Sequence, residues 1–217
     1  MLLSRLAALD ACIVSDALDF VGLSGATIGI KPLWPCARIV GRAITVQAGA
    51  KSDSKPTHHM NTTAIAAGGS ESVLVIANNG REDVSCWGDI VSNAALVQGI
   101  RGVVIDGACR DIEASEELGF PVFGKAVVPI SARNRIVQVS SGEPIQFAGV
   151  AVRQGDYVIA DQSGTVFVPL EAAEQVIELG ERIARKQSAM VAAVRAGRSV
   201  VDVMHDSEFD QIMKVQA

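Results

Sequence analysis

The chain has 217 residues, 49% hydrophobic, 20% charged and 4% aromatic, a composition that excludes disordered and collagen-like polymers. Its 19 basic and 24 acidic residues give a net charge of −5, and no block of five or more basic residues occurs, which argues against nucleic acid as a direct partner. At this length a single domain over residues 1–217 is expected, large enough to bury a core without disulfide staples.

In chain order, Ile13–Val21 is predicted as the first amphipathic helix, with Val14, Ala17, Leu18 and Val21 at helical spacing and Gly22 as its stop. A Gly- and Pro-punctuated loop precedes a strand over residues 38–46, and the polar stretch Lys51–Thr57 reads as a loop before a short Ala-rich helix ending near Gly68-Gly69. Three short apolar runs follow, at 72–77, 102–106 and 121–123, alternating with helices over 90–98 and 112–118, which predicts a parallel βαβ arrangement. From about residue 133 the pattern changes to short alternating strands at 136–139, 150–152, 157–160 and 165–168, expected to be antiparallel. Pro169 then opens a long C-terminal helix over 170–197, closed by Gly197.

The four cysteines, Cys12, Cys36, Cys86 and Cys109, lack the spacing of a zinc or redox site and suit a reducing cytoplasm. Arg5 and Asp10 interrupt the apolar N-terminus, and no run reaches the roughly 18 apolar residues of a membrane span, so neither a leader peptide nor a membrane partner is expected. The mean hydropathy of +0.31 hints at buried subunit interfaces.

In parallel α/β architecture ligands gather where strand ends feed helix N-termini. Two such junctions carry charge: Asn78–Asp89, a polar loop placing Asp89 at the N-cap of the next helix, and Asp106-Gly-Ala-Cys-Arg-Asp111. An Arg beside an Asp at a strand end suits an anionic substrate bridged by a divalent cation, although Asp89 and Asp111 could both be helix caps and Arg110 could pair with Asp106. His58 and His59 lack the helical spacing of zinc ligands, and His205 is isolated. Cys109 reads as a small packed residue, Trp87 as a cleft wall or interface residue, and Arg81-Glu82-Asp83 as a solvated charge run.

Asp89, followed after 20 residues by Arg110-Asp111, forms a D-x20-R-D signature. It resembles that of the 4-hydroxy-4-methyl-2-oxoglutarate/4-carboxy-4-hydroxy-2-oxoadipate aldolases and their RraA-like (regulator of RNase E activity-like) relatives. Val14-Ser-Asp-Ala-Leu18, Gly41–Val46, Gly102–Asp111 and Ala160–Pro169 are similar to further family segments, in the family's order. The resemblance covers residues from about 10 to about 200. It implies an α/β fold of the three-layer β/β/α swivelling type, assembled as a homotrimer or hexamer with active sites between subunits. It further implies a class II lyase that uses Mg²⁺ or Mn²⁺ to cleave small 2-oxo-dicarboxylates to pyruvate, with oxaloacetate decarboxylation as a side activity.

Carried over by position, Asp111 would hold the metal, Asp89 would orient water around it, and Arg110 would contact the keto oxygen. The backbone at Gly88, Ile90 and Val91 would receive the substrate carboxylate, and Asp16, from a neighbouring subunit, would serve as the base. Asp16 stands where the best-known aldolases carry the longer Glu, and their acid on the C-terminal helix is matched here by Lys186-Gln-Ser188. The alternatives are a non-catalytic RraA-like regulator of RNase E acting by protein binding, and a pyruvate-enolate lyase or decarboxylase of other specificity.

Overall fold

The computed structural model describes residues 1–51 and 58–204. The loop expected over Lys51–Thr57, beyond Lys51 itself, and His205 therefore lie outside the described residues. The helices are α1 (Leu2–Ala7), α2 (Ala11–Phe20), α3 (Thr62–Ala66), α4 (Asp89–Val97), α5 (Ile112–Glu117), α6 (Ala173–Arg195) and α7 (Val200–Val203). The strands are β1 (Lys31–Pro32), β2 (Ile39–Ala50), β3 (Ser72–Ser85), β4 (Val103–Cys109), β5 (Val122–Gly124), β6 (Ala126–Val127), β7 (Ile136–Ser141), β8 (Ile145–Phe147), β9 (Val150–Val152), β10 (Tyr157–Asp161) and β11 (Gly164–Val168).

The main sheet runs β1-β5-β4-β3-β2-β10-β11, with β6 beside β4 and β7 beside β2. The segments β2 to β5 pair in parallel, as the βαβ pattern requires, whereas β7, β10 and β11 pair antiparallel. The sheet curls until Ala26 bridges Val166, leaving an almost closed barrel.

Strand alternation explains the layers. Along β3, Val73, Val75 and Ala77 point into the barrel, where they meet Val104, Phe123, Val158 and Phe167. Leu74 and Ile76 point outward into a second core with Val103, Ile105, Val91 and Phe120, beneath α3, α4 and α5. On β10 and β11 the outward residues Tyr157, Ile159, Val166 and Val168 join a third core with α1, α2 and the first half of α6. Two apposed β layers and their helical cover form the α/β three-layer arrangement that the resemblance implies.

Asp10 caps α2 by accepting the Ile13 N–H at 2.9 Å. The N-terminal stretch itself forms α1, which periodicity alone did not mark, and Arg5 ties it to Glu181 on α6 through two hydrogen bonds of 2.8 and 2.9 Å. The larger correction concerns Asn78–Ser85, expected as loop. The strand continues through it with two register shifts, and Asn79 and Gly80 take left-handed φ values of +54° and +70°. The polar run at 79–83 reads as loop because the bulged strand leaves those residues at or near the surface. The short strands β1, β6 and β8 were also not expected. Among the described residues no helix is long and apolar enough to cross a membrane.

Candidate active site

The ends of β3 and β4 lie side by side: Cys86 N–H donates to Ala108 O at 3.0 Å and Arg110 N–H to Trp87 O at 3.0 Å. This pairing brings Asp89, Arg110 and Asp111 together despite the 20 residues between the first two. Arg110 Nε stands 3.0 Å from Asp111 Oδ2, with the two side chains 36% and 37% exposed. The same oxygen accepts the Asp89 N–H at 3.4 Å. Arg110 thus pairs with Asp111 rather than Asp106, whose Oδ1 lies 2.8 Å from Lys125 Nζ and whose Oδ2 accepts the Ala148 N–H at 3.2 Å.

Neither aspartate caps a helix with its side chain. Gly88 occupies the N-cap of α4 and Asp89 is its first helical residue, a shift of one position from the expectation. Asp111 does occupy the N-cap position of α5, in a left-handed conformation (φ 54°, ψ 41°), but its side chain makes no capping bond and reaches toward Arg110 and Asp89 instead.

Gly88 makes this approach possible. A Cβ there would stand 2.9 Å from Asp111 Oδ2 and 3.3 Å from both Cγ and Nε of Arg110, so a side chain at 88 would push into the pair. The junction is braced from behind: Trp87 Nε1 donates to Ser92 Oγ at 2.8 Å, and Ser92 Oγ lies 3.0 Å from both Gly88 O and Ser115 Oγ. This chain links α4 to α5 and sets the relative height of the two strand ends. Neither Ser92 nor Ser115 carries a sequence signal, because each is polar on an otherwise ordinary helix.

Beside the pair opens a cleft of about 590 Å³, walled by Trp87, Gly88, Asp89, Ile90, Val91 and Arg110 on one side. It is also lined by Lys51, Asn61 and the turn at 131–134, which the sequence did not mark as site residues, and by His58 and His59, weighed above only as zinc ligands. Trp87 lines the cleft but is 3% exposed and stacks on Phe120 with centroids 6.0 Å apart, so it is a core residue with one edge at the cavity. Within the first turn of α4, the Ile90 N–H already donates to Asp89 Oδ1 at 2.7 Å, and Val91 follows it. An incoming carboxylate would have to displace the Asp89 side chain to use the Ile90 amide.

The remaining candidates separate clearly. Asp16 lies on α2, in the helical layer packed over β10 and β11 and not over β3 and β4, and is absent from the cleft lining. Partial burial, with Asp19 and Asp10 nearby, raises its carboxyl above the usual carboxylate range. Cys109 is fully buried, and burial, reinforced by Asp111, pushes its thiol up to about 12, which fits a packed residue and not a nucleophile. Arg81 forms an exposed pair with Asp83 at 2.8 Å, as a solvated charge run should.

Among the described residues no three His, Cys, Asp or Glu side chains converge as a metal cage. The partly exposed carboxylate of Asp111 fits a hard cation that keeps most of its water and needs only one or two carboxylates, as Mg²⁺ does, whereas the Asp89 carboxylate is turned to its own helix and accepts the Ile90 N–H.

The fold and this junction define an α/β protein with a polar strand-end site of acidic and guanidinium groups. Residues 11–167 match the RraA-like family model (Aldolase/RraA), and the chain belongs to that family. It is 35% identical over 169 residues, 78% of the chain and 77% of the relative, to a protein of Halalkalibacterium halodurans named "Putative 4-hydroxy-4-methyl-2-oxoglutarate aldolase". It is 30% identical over 210 residues to protein DlpA of Legionella pneumophila; this is 97% of the chain but 34% of DlpA, so the chain spans about a third of that relative's length. Among solved structures, an uncharacterized protein from Pseudomonas syringae pv. tomato superposes with a TM-score of 0.84 at 32% identity, covering 93% of this chain and 96% of the other. RraAS2 of Streptomyces coelicolor, described as an unusual member of the RNase ES inhibitor RraA family, shares the fold with a TM-score of 0.78 at 22% identity over 88% of this chain and 94% of its own.

Proposed function

We propose that this chain is a class II pyruvate lyase that cleaves 4-hydroxy-4-methyl-2-oxoglutarate-type 2-oxo acids, with oxaloacetate decarboxylation as a side activity. The observation that carries the reading is the Arg110 and Asp111 pair at the end of β4, 3.0 Å apart and partly exposed, with the side-chain-free Gly88 pressed against both.

In the retro-aldol step the C3–C4 bond breaks, its electron pair moves toward the 2-keto oxygen, and the 4-hydroxyl loses its proton as C4 becomes a carbonyl. Arg110 meets the charge developing on the keto oxygen, where a preformed guanidinium at a partly desolvated site stabilises it more than the ground state. The start of α4, at Gly88, Ile90 and Val91, receives the C1 carboxylate on its amides and helix dipole. Asp111 would hold Mg²⁺ or Mn²⁺ and Asp89 would orient water around it; when bound, the ion would supply Lewis acidity. Asp16 takes the hydroxyl proton from a neighbouring subunit of a homotrimer or hexamer, and its raised affinity for a proton favours that role.

The test is pyruvate release from 4-hydroxy-4-methyl-2-oxoglutarate and from oxaloacetate, with Mg²⁺ and with EDTA, in the unaltered protein and in Asp111→Ala. Metal-dependent release that disappears in Asp111→Ala is expected. Absence of release from both substrates in the unaltered protein overturns the reading and leaves a protein-binding role or a lyase of other specificity, which a metal-binding titration separates.

A further inference from the structure

We propose that Asn61 accepts the hydrogen of the substrate's 4-hydroxyl on its Oδ1, and thereby sets how far the site favours hydroxyl-bearing 2-oxo acids over oxaloacetate. This rests on the reading of Arg110 and the start of α4 as the pyruvate end of the site, and adds a contact at the carbon where the bond breaks.

Asn61 occupies the N-cap position of α3, lines the cleft and is 1% exposed. Its amide has a fixed orientation. Nδ2 donates to Cys86 O at 2.8 Å, and because a carbonyl can bond only to a donor, the nitrogen must lie on that side and Oδ1 on the other. Among the described residues Oδ1 has no hydrogen-bond partner, although it is buried. Such an atom is costly to leave unpaired, and a ligand hydroxyl in the cleft supplies the donor it lacks. Burial also keeps bulk water from competing for it, which strengthens the bond once made.

Hydrogen bonds place this residue relative to the catalytic pair. Cys86, whose carbonyl holds the Asn61 amide, donates its own N–H to Ala108 O at 3.0 Å, and the next residue, Trp87, accepts the Arg110 N–H at 3.0 Å. Asn61 is thus fastened to the same strand end as Arg110. Its backbone is held as well: φ is +73°, a left-handed conformation that Asn adopts more readily than most side chains, and its N–H donates to Gln138 Oε1 at 2.9 Å. Gln138 Nε2 in turn donates to Thr63 Oγ1 at 2.9 Å, so β7 and α3 grip the residue together.

With both carboxylates ionised, the hydroxyl is the hydrogen-bond donor of 4-hydroxy-4-methyl-2-oxoglutarate, and it stands on C4, two carbons from the keto group that Arg110 meets. As the C3–C4 electron pair leaves C4 for the keto oxygen, the hydroxyl hydrogen becomes more positive, so its bond to Oδ1 strengthens toward the transition state. An amide oxygen is too weak a base to keep the proton, which passes to the Asp16 carboxylate as C4 becomes a carbonyl. Asn61 therefore orients the hydroxyl and ends the reaction unchanged. Keto oxaloacetate, which loses its C4 carboxylate as CO₂ and carries no hydroxyl, makes no use of this contact.

The experiment reads kcat/KM for pyruvate release from 4-hydroxy-4-methyl-2-oxoglutarate and from oxaloacetate, both with Mg²⁺, in the unaltered protein, Asn61→Gly and Asn61→Asp. Glycine takes the left-handed backbone freely and removes the side chain, whereas aspartate tolerates that backbone and keeps an acceptor oxygen. The ratio of the two values, hydroxyl substrate over oxaloacetate, is expected to fall about tenfold in Asn61→Gly and to be largely kept in Asn61→Asp, since one hydrogen bond accounts for about that factor. Asn61→Ala gives the same reading if the glycine variant does not fold. A ratio unchanged by removal of the side chain overturns the inference. An equal loss for both substrates does so too, because Asn61 would then only brace the strand end through Cys86. Proton exchange at the methyl group of pyruvate, which involves no hydroxyl, should proceed in Asn61→Gly as in the unaltered protein. Exchange in the unaltered protein with an unchanged ratio removes only the role of Asn61, whereas absence of both exchange and release there removes the reading of the pyruvate end together with it.

Discussion

Strand β4 and the residues just after it carry two aspartate–cation pairs four to five residues apart. Asp106 with Lys125 and Asp111 with Arg110 have nearly the same separation, 2.8 and 3.0 Å. They differ in surroundings: the first pair is 6% and 24% exposed and also holds the Ala148 amide, fastening the β8–β9 hairpin to the sheet, whereas the second is more than a third exposed and its Arg110 lines the cleft. The same chemistry therefore serves cohesion in one place and reactivity in the other. Burial decides which, because an unpaired charge is costly only where water cannot reach it.

The sharpest way to break the comparison is to remove a cation from each pair. Arg110→Ala should lower pyruvate release about 10²–10³-fold, in line with losing one preformed donor to a developing oxyanion, with Tm nearly unchanged. Equal loss of Tm and activity would mean the outer pair is structural after all. Lys125→Met should do the reverse, costing about 2 kcal/mol because Asp106 loses its counter-ion in the interior, a fall in Tm of roughly 4–8 °C by calorimetry with turnover per folded molecule retained.

A smaller effect is expected from Gly88→Ala, which adds one methyl group at 2.9 Å from Asp111 Oδ2. Moving the pair by a few tenths of an ångström should cost about tenfold in kcat, measured against circular dichroism that stays native. The smallest concerns a third pair, Arg5 with Glu181 at 2.8 Å, which lies at the surface. Arg5 lowers the Glu181 carboxyl below its ordinary value, chiefly through their hydrogen bond. The pair's contribution is present above the unfolded-state value and lost as pH falls through the folded-state value. In Arg5→Ala, the NMR titration of Glu181 should move up, and the stability difference from the unaltered protein should vanish in acid.

Much of this organisation was legible in the sequence, for identifiable reasons. The runs at 72–77 and 102–106 are continuous apolar stretches because both faces of β3 and β4 are covered, one by the barrel interior and one by helices. Arg110 and Asp111 stood out because charge directly after such a run lies at a strand end. The bulge at Asn79-Gly80 was not legible, since a strand that breaks register loses its alternation, and β8 was missed because Gly142, Glu143 and Pro144 directly before it mark a turn. The rest of the cleft lining stayed hidden for another reason. Lys51 and Arg133 are individually ordinary surface residues, and only the pairing of β2 with β7 brings them to one cavity.

The left-handed backbone at Asp111 has a consequence for how the protein can change. An L-residue at φ 54° pays of order 1 kcal/mol that glycine would not. A laboratory screen for heat resistance alone would therefore reward Asp111→Gly, and in doing so discard the carboxylate on which the proposed chemistry depends. Selection for durability and selection for turnover pull in opposite directions at this one position.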